Sequence, residues 1–276
     1  MKRFQIVFLL SLAASWTFSL SAQDTKELIL LHTSDVHSRI EPVSQHGDRN
    51  YGLGGFVRRA AFLDRFRKEH SNVLLFDCGD ISQGTPYYNA FQGEVEVKLM
   101  NEMRYDAMTI GNHEFDFGMD NMARIFNMAD FPVVCANYNL DATPLKDIVK
   151  RYVILEKHGL KIGVFGLGAK PEGLIQASKC EGVVYQDPIR VSNDVAALLK
   201  EEGCDVIICL SHLGIQADEY LIANTRHIDV ILGGHSHTFM EKPKTYLNMD
   251  GKEVSLMHSG KNGVQVGRLD LTLQRK

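Results

Sequence analysis

The chain is 276 residues long and 45% hydrophobic, with 30 Lys and Arg set against 34 Asp and Glu for a formal charge of −4. That balance excludes the broad basic surface by which a protein grips a nucleic-acid backbone, so no nucleic-acid partner is expected. The length suits one α/β domain, or at most two small ones, and the apolar content is ample for a core.

The first feature along the chain is an export-type leader. Lys2 and Arg3 supply a positive start, residues 6–20 an apolar stretch and Leu20-Ser21-Ala22 a cleavage site, so residues 1–22 are expected to be removed and the mature chain to begin at Gln23. A stable membrane anchor is not expected, because Ser11, Ser15, Thr17 and Ser19 interrupt a stretch already short of the roughly 20 residues that span a bilayer. No Cys follows the cleavage site to carry lipid, which points to a soluble secreted or periplasmic product. Removing the leader takes away two positive charges and moves the formal charge to −6.

Short apolar runs then alternate with helical patterns. Strands buried on both faces are expected at residues 28–31, 73–76, 133–136, 162–167, 206–210 and 230–232. Helices are expected at residues 56–68, 94–103, 119–128, 189–202 and 217–224, with Pro188 and Gly203 punctuating the fourth. From about Tyr246 the pattern changes, and residues 254–257 and 267–273 read as antiparallel strands closing the sheet. This alternation predicts a layered α/β fold, and the lack of a linker or repeat predicts one domain over residues 23–276. Of the five cysteines, Cys78, Cys135 and Cys209 lie in or beside apolar runs and are expected as buried thiols; Cys180 and Cys204 are left open to pairing.

Five polar clusters follow strand-like runs: Asp35-Val36-His37, Gly79-Asp80, Gly111-Asn112-His113-Glu114, Ser211-His212 and Gly234-His235-Ser236-His237. One sheet edge could collect them all. Their carboxylates, imidazoles and amide oxygen suit Zn, Mn, Fe or Co rather than a thiolate site. The two oxygens of Asp80 could bridge two ions, and His235 and His237, two residues apart, share a face of an extended segment.

Read together, these clusters resemble the ordered signature of the calcineurin-like metallophosphoesterase superfamily, and within it the N-terminal catalytic domain of secreted 5′-nucleotidases and UDP-sugar hydrolases. Gly54-Gly55 with Arg58-Arg59-Ala60-Ala61, the run Asp77-Cys78-Gly79-Asp80 and Asn112-His113-Glu114-Phe115-Asp116 add to the resemblance. It implies a four-layer α/β/β/α sandwich of mixed sheets. It also implies two divalent metal ions, one held by Asp35, His37, Asp80 and His237, the other by Asp80, Asn112, His212 and His235. The implied catalytic pair is His113 and Asp116, with Asn112 and His113 against the phosphate. The implied reaction is hydrolysis of a phosphate monoester, such as a nucleotide, by direct attack of metal-activated water.

A cyclic-nucleotide phosphodiesterase or nucleotide-sugar pyrophosphatase stays open as the alternative, although Asp116 favours a monoesterase. From a different class, a metal-binding subunit of a two-chain nucleotidase stays open too. The C-terminal domain that reads the nucleobase in such enzymes has no counterpart before Lys276, so either a separately encoded specificity domain docks here or the chain accepts broader esters.

Glu114 is expected as a hydrogen-bond acceptor behind the metals rather than a ligand. Arg58 and Arg59 are expected on a solvated or salt-bridged helix face, and Tyr51, Tyr87 and Tyr88 as packing pieces more than cleft walls. His32, His46, His70, His158 and His227 lack partners at ligand spacing, and His258 is ambiguous and stays outside the predicted site.

Overall fold

A computed structural model describes residues 25–274; the predicted leader at residues 1–22 lies outside them. In chain order the strands are β1 (Thr25–Thr33), β2 (Val73–Asp77), β3 (Ala107–Thr109), β4 (Val133–Val134), β5 (Tyr138–Asn139), β6 (Val149–Lys150), β7 (Tyr152–Lys157), β8 (Leu160–Leu167), β9 (Val184–Tyr185), β10 (Val206–Ser211), β11 (Val230–Gly233), β12 (Lys244–Leu247), β13 (Glu253–His258) and β14 (Gly267–Gln274). The helices are α1 (Phe56–Glu69), α2 (Pro86–Phe91), α3 (Glu94–Glu102), α4 (Met119–Phe126), α5 (Pro188–Glu201) and α6 (Ile215–Ala223).

The strands form two mixed six-stranded sheets, ordered β14-β1-β2-β3-β4-β6 and β12-β13-β11-β10-β8-β7, plus the pair β5-β9. Strand alternation turns these sheets into four layers. In β1, Leu28 and Leu30 meet Ile162, Val164, Ile208 and Leu232 of the second sheet, forming a dry middle core. The intervening Ile29 and Leu31 face the other way, onto Phe56 and Leu63 of α1, Met100 of α3 and Ile125 of α4. The second sheet does the same: Ile207, Cys209 and Ile231 turn away from the middle core to pack on Val195 and Leu199 of α5 and Ile222 of α6. The predicted α/β/β/α sandwich of mixed sheets is therefore present, and burial on both faces explains why the strand segments are continuously apolar.

Strands β1 to β4 run parallel to one another, as do β8, β10 and β11. Their carboxyl ends consequently emerge together, and the polar clusters follow β1, β2, β3, β10 and β11.

The closing strands differ from expectation. β14 does pair antiparallel with β1, but β13 lies in the other sheet, parallel to β11 and antiparallel to β12. The intervening loop crosses between sheets, and its Asn262 N–H donates to the Asp35 carbonyl at 2.8 Å. Local alternation identifies a strand but does not choose its partner. Cys180 and Cys204 do not pair: all five cysteines are free, Cys204 lies in the core under α5 and Cys180 packs on the opposite helical layer. Arg59 also departs from expectation. It is only 4% exposed, its guanidinium lying over the Phe56 ring and donating to the Tyr105 hydroxyl at 3.4 Å, whereas Arg58 is exposed.

Candidate metal centre

The loops that leave the strands turn in an unusual way. Asp35, His37, Asp80, His235 and His237 all have positive φ, between 49° and 72°. For residues with a Cβ this left-handed conformation is costly and survives only where surrounding bonds over-determine it. Here the Asp35 N–H donates to the Gly79 carbonyl at 2.9 Å, His37 N–H to the Asp80 carbonyl at 3.0 Å, and Gly234 N–H to the Ser211 carbonyl at 2.9 Å. Space is equally constrained: a Cβ on Gly79 would stand 2.6 Å from the Gly111 nitrogen, and one on Gly234 would stand 3.0 Å from Asp35 Oδ2. Gly79 and Gly234 thus let the loops approach closely enough to converge.

Three groups result in which each residue offers a ligand atom within 4.8 Å of the others: Asp35, His37 and His237; His37, Asp80 and His113; and Asp80, His212 and His235. Asp80 and His37 each belong to two groups, so the groups form one continuous cluster. His37 Nε2 and His237 Nε2 are 3.0 Å apart, and His237 Nε2 is 3.4 Å from Asp35 Oδ1. His212 Nε2 is 3.1 Å from Asp80 Oδ2, a charge pairing that leaves this buried nitrogen without a well-formed hydrogen bond. The Asn112 Oδ1 atom is likewise buried and unpartnered. Buried polar atoms without a hydrogen bond are costly, and His212 Nε2 sits among converging carboxylates and imidazoles, as a divalent cation would require.

The supporting hydrogen bonds aim the rings. His212 Nδ1–H donates to the Cys78 carbonyl at 2.6 Å and His37 Nδ1–H to the Ser82 carbonyl at 3.3 Å, which turns each Nε2 toward the cluster. The His235 N–H donates to both Asp35 carboxylate oxygens at 3.0 and 3.1 Å. Glu114 stays outside the cluster, accepting from the backbone N–H of Asp80 at 2.9 Å, Gly111 at 2.6 Å and Ser82 at 3.2 Å. It braces the loop after β2 against the loop after β3.

Burial opposes a proton on His212, but the adjacent Asp80 carboxylate overrides it and lifts the imidazole to about 10; Asp80 itself is held well below the usual carboxylate range, although burial pushes the other way. A divalent cation binding between them would displace that proton. Burial lowers His37 and His235, which favours the neutral, ligating imidazole. At the rim, His113 Nδ1–H donates to Asp116 Oδ2 at 2.9 Å, and that bond raises His113 above its ordinary range.

Asp35, His37, Asp80, His113, His212, His235 and His237 therefore come together in these groups, Asp116 joins through His113, and Asn112 is buried one residue before His113. Among the other candidates, Tyr88 is buried against Phe117 with ring centroids 5.0 Å apart, Tyr51 stacks on His46 at 4.6 Å, and Tyr87 donates to Glu41 at 3.1 Å. His258 lies outside the cluster, its Nε2 being 2.8 Å from Asp218 Oδ2. Asp218 escapes the sequence reading, although an acid three residues before Leu221 and four before Ile222, on the buried face of a helix, is a usable signal.

The family model described as calcineurin-like phosphoesterase matches residues 28–239. The snake venom 5′-nucleotidase of Crotalus adamanteus is 32% identical over 270 residues, an alignment covering 91% of this chain and 46% of that protein. Among solved structures, the 5′-nucleotidase precursor of Thermus thermophilus superposes with a TM-score of 0.82 at 30% identity, covering 90% of this chain and 54% of that one. The NAD nucleotidase of Haemophilus influenzae gives 0.82 at 29% identity, with 91% and 48% covered. The chain spans about half the length of the curated relatives it matches.

Proposed function

Because the chain belongs to the calcineurin-like phosphoesterase family, we propose that it is a two-metal phosphoester hydrolase of the 5′-nucleotidase type, acting on phosphate monoesters such as nucleotides. The observation that carries this reading is the single cluster in which His37 and Asp80 join the Asp35 side to the His212 side while His212 Nε2 and Asn112 Oδ1 stay buried without a hydrogen bond.

In this proposal Asp35, His37, Asp80 and His237 hold one divalent ion and Asp80, Asn112, His212 and His235 the other, the metal being Zn, Mn, Fe or Co. Such ions supply Lewis acidity toward phosphoryl oxygens and a more acidic bound water. The residues do the rest. Asn112 and His113 face the phosphate, and with Nδ1 committed to Asp116, the Nε2–H of His113 is the ring's remaining donor for charge growing on the phosphoryl or leaving oxygen. Asp116 fixes that tautomer and favours the protonated ring.

The proposal takes residues 1–22 as a cleaved leader and residues 23–276 as the catalytic unit, working outside the cell or in the periplasm. An exported product starting at Gln23 supports that placement, and one starting at Met1 contradicts it. Among the described residues no helix is long and apolar enough to cross a membrane.

Metal-reconstituted protein assayed on AMP, UDP-glucose, 2′,3′-cyclic AMP and p-nitrophenyl phosphate tests the substrate class. Preference for AMP supports the nucleotidase reading; faster turnover of the cyclic ester or UDP-glucose transfers the site to diester or pyrophosphate cleavage. No turnover of any ester leaves a metal-binding subunit. Adding a separately encoded specificity domain lowers the KM for AMP if such a partner supplies the base contacts.

A further inference from the structure

We infer that Asp218 is a positioning residue which, through Ser211 and His258, fixes the placement of His212 and His235; the inference extends the proposed metal centre to the residues that set its second half. Asp218 lies in the first turn of α6 and is fully buried, as are Ser211 and, within 1%, His258. A buried carboxylate persists only with committed partners, and Asp218 has two. Its Oδ1 accepts a hydrogen bond from the Ser211 hydroxyl, and its Oδ2 lies 2.8 Å from His258 Nε2.

Those two partners end different strands. Ser211 closes β10 and His258 closes β13, while β11 runs between them. Asp218 therefore spans β11 at Gly233, where a Cβ would strike both the His258 ring and the carboxylate. Gly233 is bare so that one carboxylate can tie the ends of β10 and β13 together across β11. The next residues after β10 and β11 are His212 and Gly234-His235.

The tie continues on both sides of His212. The Ser211 hydroxyl that donates to Asp218 also accepts from the Leu213 N–H at 3.2 Å, so it brackets His212 in the chain. The Ser211 carbonyl accepts from Gly234 N–H at 2.9 Å, linking the His212 turn to the His235 turn. At the start of the same helix, Ile215 N–H donates to the Ser236 hydroxyl at 3.1 Å, between His235 and His237. Asp218 touches no proposed ligand and acts through this bracket. The His37 turn is held from elsewhere, its N–H donating to the Asp80 carbonyl at 3.0 Å, while the Asp35 carboxylate meets the bracket only through the His235 N–H.

Asp218→Asn turns one acceptor into a donor, and Ser211→Ala removes one arm with little change in volume, so a fold lost in the first leaves the second to be read. Two measurements separate the clamp from the metal centre. In metal-free protein, the imidazole NMR signals of His212 and His235 should shift in either variant and the His212 Nδ1 proton should exchange at least about tenfold faster, with His37 unchanged. In a Mn²⁺ titration, wild type should take two ions; the variants should keep the affinity of one and weaken the other by about 10- to 100-fold. Unchanged ring signals in folded Ser211→Ala overturn the clamp. Shifted ring signals with wild-type protein that binds no second ion keep the clamp and overturn the two-metal reading.

Discussion

The two halves of the cluster are built differently. On one side, His212 is completely buried and braced by the Cys78 carbonyl, with Ser211 and Asp218 behind it. On the other, the His237 side chain is 36% exposed, although Asp35 beside it is buried. A buried, pre-aimed set of donors loses little freedom on binding an ion, whereas an exposed imidazole must be ordered each time. His212 is thus preformed and His237 adaptable, and His37 and Asp80 join the two sides.

The largest expected effect comes from breaking the joint. Asp80→Asn should cut kcat/KM on a phosphomonoester by on the order of 10³-fold and reduce the bound metal from two ions, checked by elemental analysis of the dialysed protein. His113→Ala, at the rim of both halves, should lower kcat by about 10²-fold with both ions retained; near-wild-type kcat would remove His113 from the proposed chemistry. The comparison itself is sharpened by removing one imidazole from each side. His212→Ala should destabilise metal-free protein by about 3–5 kcal/mol, because it strands the buried Asp80 carboxylate. His237→Ala should cost under about 1 kcal/mol in the same denaturation, its ring being exposed. Equal losses would show that the two halves are not distinct.

A pH dependence lies beneath the joint. Burial pushes the Asp77 carboxyl up to about 8, although Thr33 and the Gly79 N–H donate to it. A carboxyl whose folded pKa exceeds its unfolded value binds its proton more tightly when folded, so it contributes stability at low pH that is lost as pH rises from about 4 toward 8. Asp77→Asn should therefore flatten the fall in Tm between pH 5 and pH 8 in chelator by roughly 4–8 °C. An unchanged slope would assign that pH dependence elsewhere.

Much of this was legible in the sequence because strand ends advertise themselves. Asp35, Asp80, Asn112, His212 and His235 each lie within a few residues of a strand end, and parallel packing brings such positions to one edge. The layered fold was legible for the same reason. What the sequence hid depends on neighbours far along the chain. β3 is three residues long and α2 six, too short to carry a periodic signal. The assignment of β13 and β14 to different sheets follows from pairing with β11 and β1, and nothing in either strand encodes that choice. Arg59 and Asp218 look like ordinary surface charges until Phe56 and Tyr105, or Ser211 and His258, are seen around them.

Anomalous diffraction from crystals soaked in Mn²⁺ tests the joined halves most directly. The proposed centre requires two peaks with Asp80 between them, one beside Asp35, His37 and His237 and the other beside Asn112, His212 and His235. A single peak, or two peaks that do not share Asp80, would contradict it.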